Sequence, residues 1–443
     1  MKRRGFLGRL AGLAGGFVVG RGAAAHGGTG ALGHGSAADE GQGAGSLLIP
    51  MDDAQTNHLK AYGLAYDAVR RGGHTEWLLN YRGGTFLVPD DAVVRRAATL
   101  AGVAVENVTD LQLVGIRGTI EAGNMDAIIL ERAPRVAIYA PPFAPPWDDA
   151  VTMALQYADI PFTRVWDPEV LGGGLAGFDW LHLHHEDFTG QDSKFYLTYA
   201  GAPWLADMVA ADLATARQLH FANTPALKKA VAAQLRAFVE NGGFLFAMCT
   251  ATETLELALA AHDVDIAAAF ADGTPMDPDA DAKLDWSRAM ACQGAHLEMD
   301  PAIPVFSDID GHQVNNPAKR QPLGAFELFN FSAKIDPVFT MLVQCHRQVI
   351  PDFYGVTTSF TRNTLKAADT ILAEEPGAPW VKYIHGDLGK GTWTYLGGHD
   401  PEDPQHQIGA PPTDLSLHPG SPGYRLILNN VLFPAARKRE LKT

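Results

Sequence analysis

Gly242-Gly243-Phe244-Leu245-Phe246-Ala247-Met248-Cys249-Thr250-Ala251-Thr252-Glu253-Thr254-Leu255 is the stretch that decides how this chain is read. A glycine pair closes a helical pattern over 225–240, and five apolar residues follow it. A short apolar run bounded by glycine suits a strand buried on both faces. Helical spacing resumes at Thr250, so strand passes into helix without a loop and Cys249 stands at the corner. Such a corner is sharp and demands small residues two positions before and after; they are Ala247 and Ala251. The corner also puts the sulfur at a helix N-terminus, where partial positive charge favours thiolate. The other role open to Cys249 is that of a small buried hydrophobe.

Working outward, apolar strand patterns cover 135–140, 162–166 and 178–184, and helical patterns cover 148–157 and 250–261. After an irregular stretch over about 262–350, rich in Asp, Pro and Asn, a last strand over 391–396 runs into Gly397-Gly398-His399-Asp400-Pro401-Glu402. Alternation of this kind predicts an α/β fold with a doubly wound, mostly parallel sheet over 134–443, carrying an insertion. Upstream, a strand at 46–50, a helix at 54–71, a strand at 76–81, the turn Arg82-Gly83-Gly84 and a helix at 91–100 predict an additional N-terminal βαβ unit over 46–133.

Ligands bind at the carboxyl ends of parallel strands. Three polar constellations fall there: His184-His185-Glu186-Asp187, Cys249, and His399-Asp400-Pro401-Glu402. In strand geometry His182 and His184 share one face and His185 takes the other. Convergence of imidazole, thiolate and carboxylate suits zinc, with His184, His185 and His399 as candidate ligands, although no HExxH or CxxC spacing is present. Asp52, after the first strand, and Arg82, after the second, are further candidates for a ligand cleft; a guanidinium grips a carboxylate with two bonds. Glu253, one turn into the helix after Cys249, is expected to act as a negative charge on the helix dipole.

The series from Arg135 to Glu402, with its cysteine elbow and late His399-Asp400-Pro401-Glu402 motif, resembles the class I glutamine amidotransferase-like superfamily. The resemblance implies a flavodoxin-like fold with Cys249 as nucleophile, His399 as base, and Glu402 or Asp400 as the acid that orients it. The chain also resembles exported bacterial proteins labelled asparagine synthetase B. Yet Met1 is followed by Lys2, not by a catalytic Cys, and no Ser-Gly-Gly-x-Asp-Ser loop is present. It departs from the superfamily by Ala rather than Gly beside the Cys, by a displaced acid, and by ionisable side chains at 184–187 where a Gly-rich oxyanion loop is usual.

At the N-terminus, Met1-Lys2-Arg3-Arg4-Gly5-Phe6-Leu7, a short Gly-rich apolar run and Ala23-Ala24-Ala25 read as a twin-arginine signal over 1–25, handed to the export machinery. Residues 26–45 read as a flexible Gly- and Ala-rich linker. The expected location is periplasmic or secreted. Loss of the signal's five cations takes the net charge from −15 to −20, which disfavours nucleic acid and anionic membranes as partners. No later segment has the apolar length of a transmembrane helix. Cys249, Cys292 and Cys345 allow one intrachain disulfide at most. The expected function is that of an exported Cys-dependent hydrolase acting on a small amide or related carbonyl compound. The alternatives are a non-catalytic small-molecule-binding α/β protein and a metal-dependent enzyme using the histidines.

Overall fold

The computed structural model describes residues 45–342, 347–405 and 407–438. The predicted signal, the linker up to residue 44 and Cys345 lie outside the described residues. Those described belong to one compact unit.

The N-terminal strands are β1 (Ser46–Ile49), β2 (Thr75–Leu79), β3 (Thr85–Pro89), β4 (Glu106–Val108) and β5 (Asp126–Leu130). They form a sheet in the order β4-β1-β3-β2-β5, every neighbouring pair antiparallel. This corrects the expected βαβ unit. The helix His58–Arg70 does join β1 to β2, but β3 lies between them and runs against both. The cause is local: Asn80 (φ 62), Arg82 (φ 47) and Gly84 (φ 90) are left-handed and fold the chain straight back. A hairpin then claims the edge of β2 before β1 can reach it.

The second sheet holds β6 (Val136–Tyr139), β7 (Phe162–Val165), β8 (Trp180–Leu183), β9 (Phe244–Met248), β10 (Ala325–Leu328), β11 (Val349–Pro351), β12 (Phe360–Thr361), β13 (Thr370–Glu374), β14 (Trp380–Leu388) and β15 (Gly391–Leu396). Its order is β11-β10-β13-β14-β15-β9-β8-β6-β7, with β12 paired to β14. Only β15, β9, β8, β6 and β7 are mutually parallel; the rest are antiparallel. The class is α/β and the sheet is mixed rather than mostly parallel. The antiparallel half escaped the sequence because its strands mix polar with apolar residues without a clear period: β14 reads Trp-Val-Lys-Tyr-Ile-His-Gly-Asp-Leu. The stretch over 262–350 is not a pure insertion, since β10 and β11 extend this sheet.

The parallel strands read as continuous apolar runs because helices cover both their faces. All five residues of β9 are buried between β8 and β15. The helix Thr224–Glu240 begins where Asn223 accepts from the Ala226 N–H at 2.9 Å, with Pro225 in its first turn. It buries Leu227, Val231 and Leu235, each such side chain contributing about 1.5–3 kcal/mol. The C-terminal helix Pro422–Leu432 is buried from Gly423 onward. It links the two sheets: Arg425 donates to the Gly83 carbonyl at 2.6 Å, and Asn429 accepts from Tyr62 Oη at 2.6 Å. Its backbone also accepts from the Trp180 indole, through the Asn430 carbonyl at 3.0 Å. Among the described residues no helix is long and apolar enough to cross a membrane.

Candidate active site

Cys249 adopts φ 51 and ψ −135. A non-glycine residue there stores roughly 1–3 kcal/mol of strain and persists only when its surroundings enforce it. They do: Ala247 and Ala251 are fully buried, the Ala251 N–H bonds the His184 carbonyl at 3.0 Å, and Thr252 Oγ1 donates to the Cys249 carbonyl at 2.7 Å. The corner is pinned to β8 on one side and to its own helix on the other.

Four loops meet at this end of the parallel strands. The loop after β15 supplies His399, which lines the same cavity as Cys249 and acts electrostatically on its thiol. The loop after β6 supplies Asp148, whose Oδ1 stands 2.9 Å from His399 Nε2. The loop after β8 supplies His184 and His185, the latter placing Nε2 2.7 Å from the Asp148 carbonyl. From the segment between β11 and β12, the Val356 N–H donates to Cys249 Sγ at 3.3 Å. Gly355 must be glycine at this approach, for a Cβ there would lie 3.0 Å from the sulfur.

The electrostatics separate charge within the pair. Burial alone would raise the Cys249 pKa, but the hydrogen bond and charge of His399, with the Val356 N–H, outweigh it and lower it. Burial opposes the charge on His399 as well; Asp148 and Cys249 overcome that and lift its pKa to about 10. His399 is therefore protonated near neutrality, and its charge shifts Cys249 toward the thiolate. His184 is lowered to about 4 by burial and His185 well below its ordinary range, so both are neutral. Burial raises Glu186 to about 8, which keeps it protonated.

The acid beside His399 is therefore Asp148, which corrects the assignment to Asp400 or Glu402. Asp400 accepts from Thr413 Oγ1 at 2.7 Å and from the Glu402 N–H at 2.8 Å, and so shapes the loop. Glu402 pairs with His418 at 2.9 Å. Asp52 and Arg82 pair with each other at 2.6 Å; Arg82 also takes Glu106 at 2.8 Å, and neither lines the cavity beside Cys249. Glu253 is not a charge on the helix dipole. It is fully buried, accepts from Ser307 Oγ and from Thr357 Oγ1 at 2.9 Å, and burial raises it to about 8.

The cavity beside Cys249 holds about 320 Å³ and is lined by Trp147, His185, Lys194, Phe195, Tyr199, Tyr354 and His399 among others. That is room for a small molecule held between aromatic walls and polar side chains such as Lys194, Asn315 and Gln407. A second cavity of about 270 Å³ shares Trp147 and His185 and contains Asp148, Glu186, Asp192 and Lys228. His184, His185 and His399 bring their nitrogens within 4.8 Å of one another, and His184 Nε2 is buried without a hydrogen-bond partner. His182 Nε2 and His184 Nδ1 stand 3.3 Å apart, on one face of β8.

Sequence reasoning missed Asp148, Lys194 and Val356. Asp148 had a legible signal: Asp148-Asp149 heads the helix after the first parallel strand, and Asp149 does cap it, accepting from the Thr152 N–H at 2.7 Å. No family model matches the chain, and no curated protein matches it. Among solved structures, it is similar to cytoplasmic protein STM3548 from Salmonella typhimurium, at TM-score 0.33 and 10% identity over 69% of this chain and 100% of that one. Cytoplasmic protein STM1381 from Salmonella typhimurium LT2 gives TM-score 0.32 and 10% identity over 68% of this chain and 100% of that one. Likenesses this distant say nothing of the site.

Proposed function

We propose that the chain is an exported Cys-dependent hydrolase of a small amide or related carbonyl compound, built on a class I glutamine amidotransferase-like core. The observation that carries this reading is the linked set Cys249, His399 and Asp148 at a strained strand-to-helix corner beside a cavity. The core is supported by the parallel strand order β7-β6-β8-β9-β15, which in chain order is second, first, third, fourth, fifth, the flavodoxin-like arrangement. The nucleophile follows the fourth of these strands and the histidine the fifth.

In this reading the Cys249 thiolate attacks the carbonyl carbon and a carbon–sulfur bond forms. The carbon–nitrogen bond breaks as the amine leaves with the His399 proton. Water, deprotonated by His399, then adds to the thioester carbonyl; the carbon–sulfur bond breaks, the carboxylic acid leaves, and the thiolate and protonated His399 are restored. Asp148 holds the ring and stabilises its positive charge. Replacing Cys249→Ala should abolish turnover across an amide panel, by at least ~10³-fold. Retained activity on every substrate hydrolysed by the parent would remove Cys249 as nucleophile.

One observation favours a second reading, zinc held by His184, His185 and His399: the unpartnered His184 Nε2. It would draw His399 away from Cys249. Zinc that co-purifies and is lost in His184→Ala would favour it; activity in metal-free protein would end it.

A further inference from the structure

A second cluster lies in the antiparallel half. His312, Asp352 and Glu375 come from three separate segments and place one donor atom each within 4.8 Å of the others. His312 is wholly buried, with Nε2 3.5 Å from Asp352 Oδ2 and 3.7 Å from Glu375 Oε2. These separations are too long for hydrogen bonds, and Nε2 has no hydrogen-bond partner. They suit another geometry. Ligands about 2.0–2.2 Å from one tetrahedral ion stand roughly 3.3–3.6 Å from each other.

The surroundings hold the three donors in place. His312 Nδ1 lies 2.7 Å from Ser359 Oγ, a partner that turns the Nε2 lone pair toward the carboxylates. Burial lowers the ring's pKa to about 4, leaving it neutral as a ligand must be. Asp352 keeps Oδ2 for the cluster while Oδ1 is held by buried Lys382 and by the Phe353 N–H. Glu375 Oε2 accepts from the Trp380 indole at 2.8 Å. Gly324 leaves Glu375 its place, since a Cβ there would stand 2.3 Å from Oε1.

We propose that His312, Asp352 and Glu375 form a divalent transition-metal site, best matched to zinc. One imidazole with two carboxylates suits zinc, whereas magnesium and calcium prefer oxygen alone. Asp352 and Glu375 bring negative charge to the ion, Asp352 sharing its own with Lys382, and water completes the coordination past Glu375, whose side chain is 24% exposed. The site's role is positional. From Asp352 the chain runs four residues to Val356, the donor to Cys249, and Lys382 grips the Phe353 and Thr358 carbonyls of the same segment at 2.9 Å each. An ion at Asp352 anchors this segment over the thiol.

The test needs no turnover, so it stands apart from the amide reading. The full chain, stripped with chelator, is titrated with zinc by calorimetry, and with cobalt(II) by absorption. Expected are about one ion per chain, a higher melting temperature with zinc, and a cobalt complex lacking thiolate-to-metal charge transfer. Glu375→Gln, at a partly exposed position, should weaken binding at least ~10-fold and remove the melting shift. His184→Ala should bind as the parent does. The proposal is overturned by absence of binding in the parent, by unchanged binding in Glu375→Gln, by its loss in His184→Ala, or by thiolate absorption in the cobalt complex.

Discussion

Cys249 and Cys292 are both free and equally hidden, 2% and 1% exposed, yet their surroundings push their thiols in opposite directions. Around Cys249, a protonated histidine and an N–H face the sulfur and lower its pKa despite burial. Cys292 sits in an isolated β-bridge to Leu365, and its N–H, with that of Ala291, is spent on the Glu256 carboxyl at 2.8 and 2.9 Å. Burial raises its pKa well above the ordinary range, and the acids Glu256, Asp369 and Glu253 raise it further. Burial alone thus does not decide what a cysteine can do. The sign of the charge facing the sulfur does.

The largest expected effect is in alkylation. Peptide mapping after iodoacetamide treatment of native protein near pH 7 should find Cys249 modified at least ~100-fold faster than Cys292, which reacts only on unfolding. The Cys249 rate should level off at a lower pH than that of an ordinary thiol and fall as pH drops through its lowered pKa. Equal rates would erase the contrast, and a rate that climbs steadily toward pH 9 would mean an ordinary thiol.

A smaller effect sharpens the contrast by removing its source. In Asp148→Asn the imidazolium loses its carboxylate, and the Cys249 alkylation rate at pH 7 should fall about 10–100-fold. Glu402→Gln, which touches only the His418 pairing, should stay within about twofold. A deficit in Glu402→Gln as large as that in Asp148→Asn would return the orienting role to the histidine motif.

The smallest effect concerns the helix Thr250–Ala260, which shows Glu253 to Ser307 and Thr357 and Glu256 to the Cys292 N–H. In the folded protein burial holds Glu253 protonated up to about pH 8, against an ordinary value of 4.5. On unfolding it ionises above that ordinary value. Its contribution to stability is full below about pH 4.5 and is lost as pH rises to about 8. Glu253→Gln cannot ionise, so its melting temperature should fall less than the parent's between pH 5 and pH 8.5. Parallel curves for the two proteins would mean that Glu253 is already ionised when folded.

Most of the parallel half was legible. The strand 244–248 and the helix after it emerged where expected, because continuous apolar runs and glycine boundaries are local signals. The antiparallel half was not, because a strand of mixed polarity such as β14, with Lys382, His385 and Asp387 among its apolar residues, gives no clear period until its partners are known. The turn at 80–84 was visible as Gly-Gly, but its left-handed Asn80 and Arg82, which make β3 intervene, left no mark in composition.

By itself the sequence determined the corner at Cys249, its small flanks and the placement of His399 after a last strand, since each depends on neighbours a few residues away. Only the tertiary structure decided the acid. Asp148 and His399 lie 251 positions apart, and they meet because β6 and β15 belong to one parallel sheet whose loops converge at the same end. Asp400 and Glu402, near in sequence, were claimed by Thr413 and His418 instead. A hydrogen bond needs about 3 Å in space and is indifferent to distance along the chain.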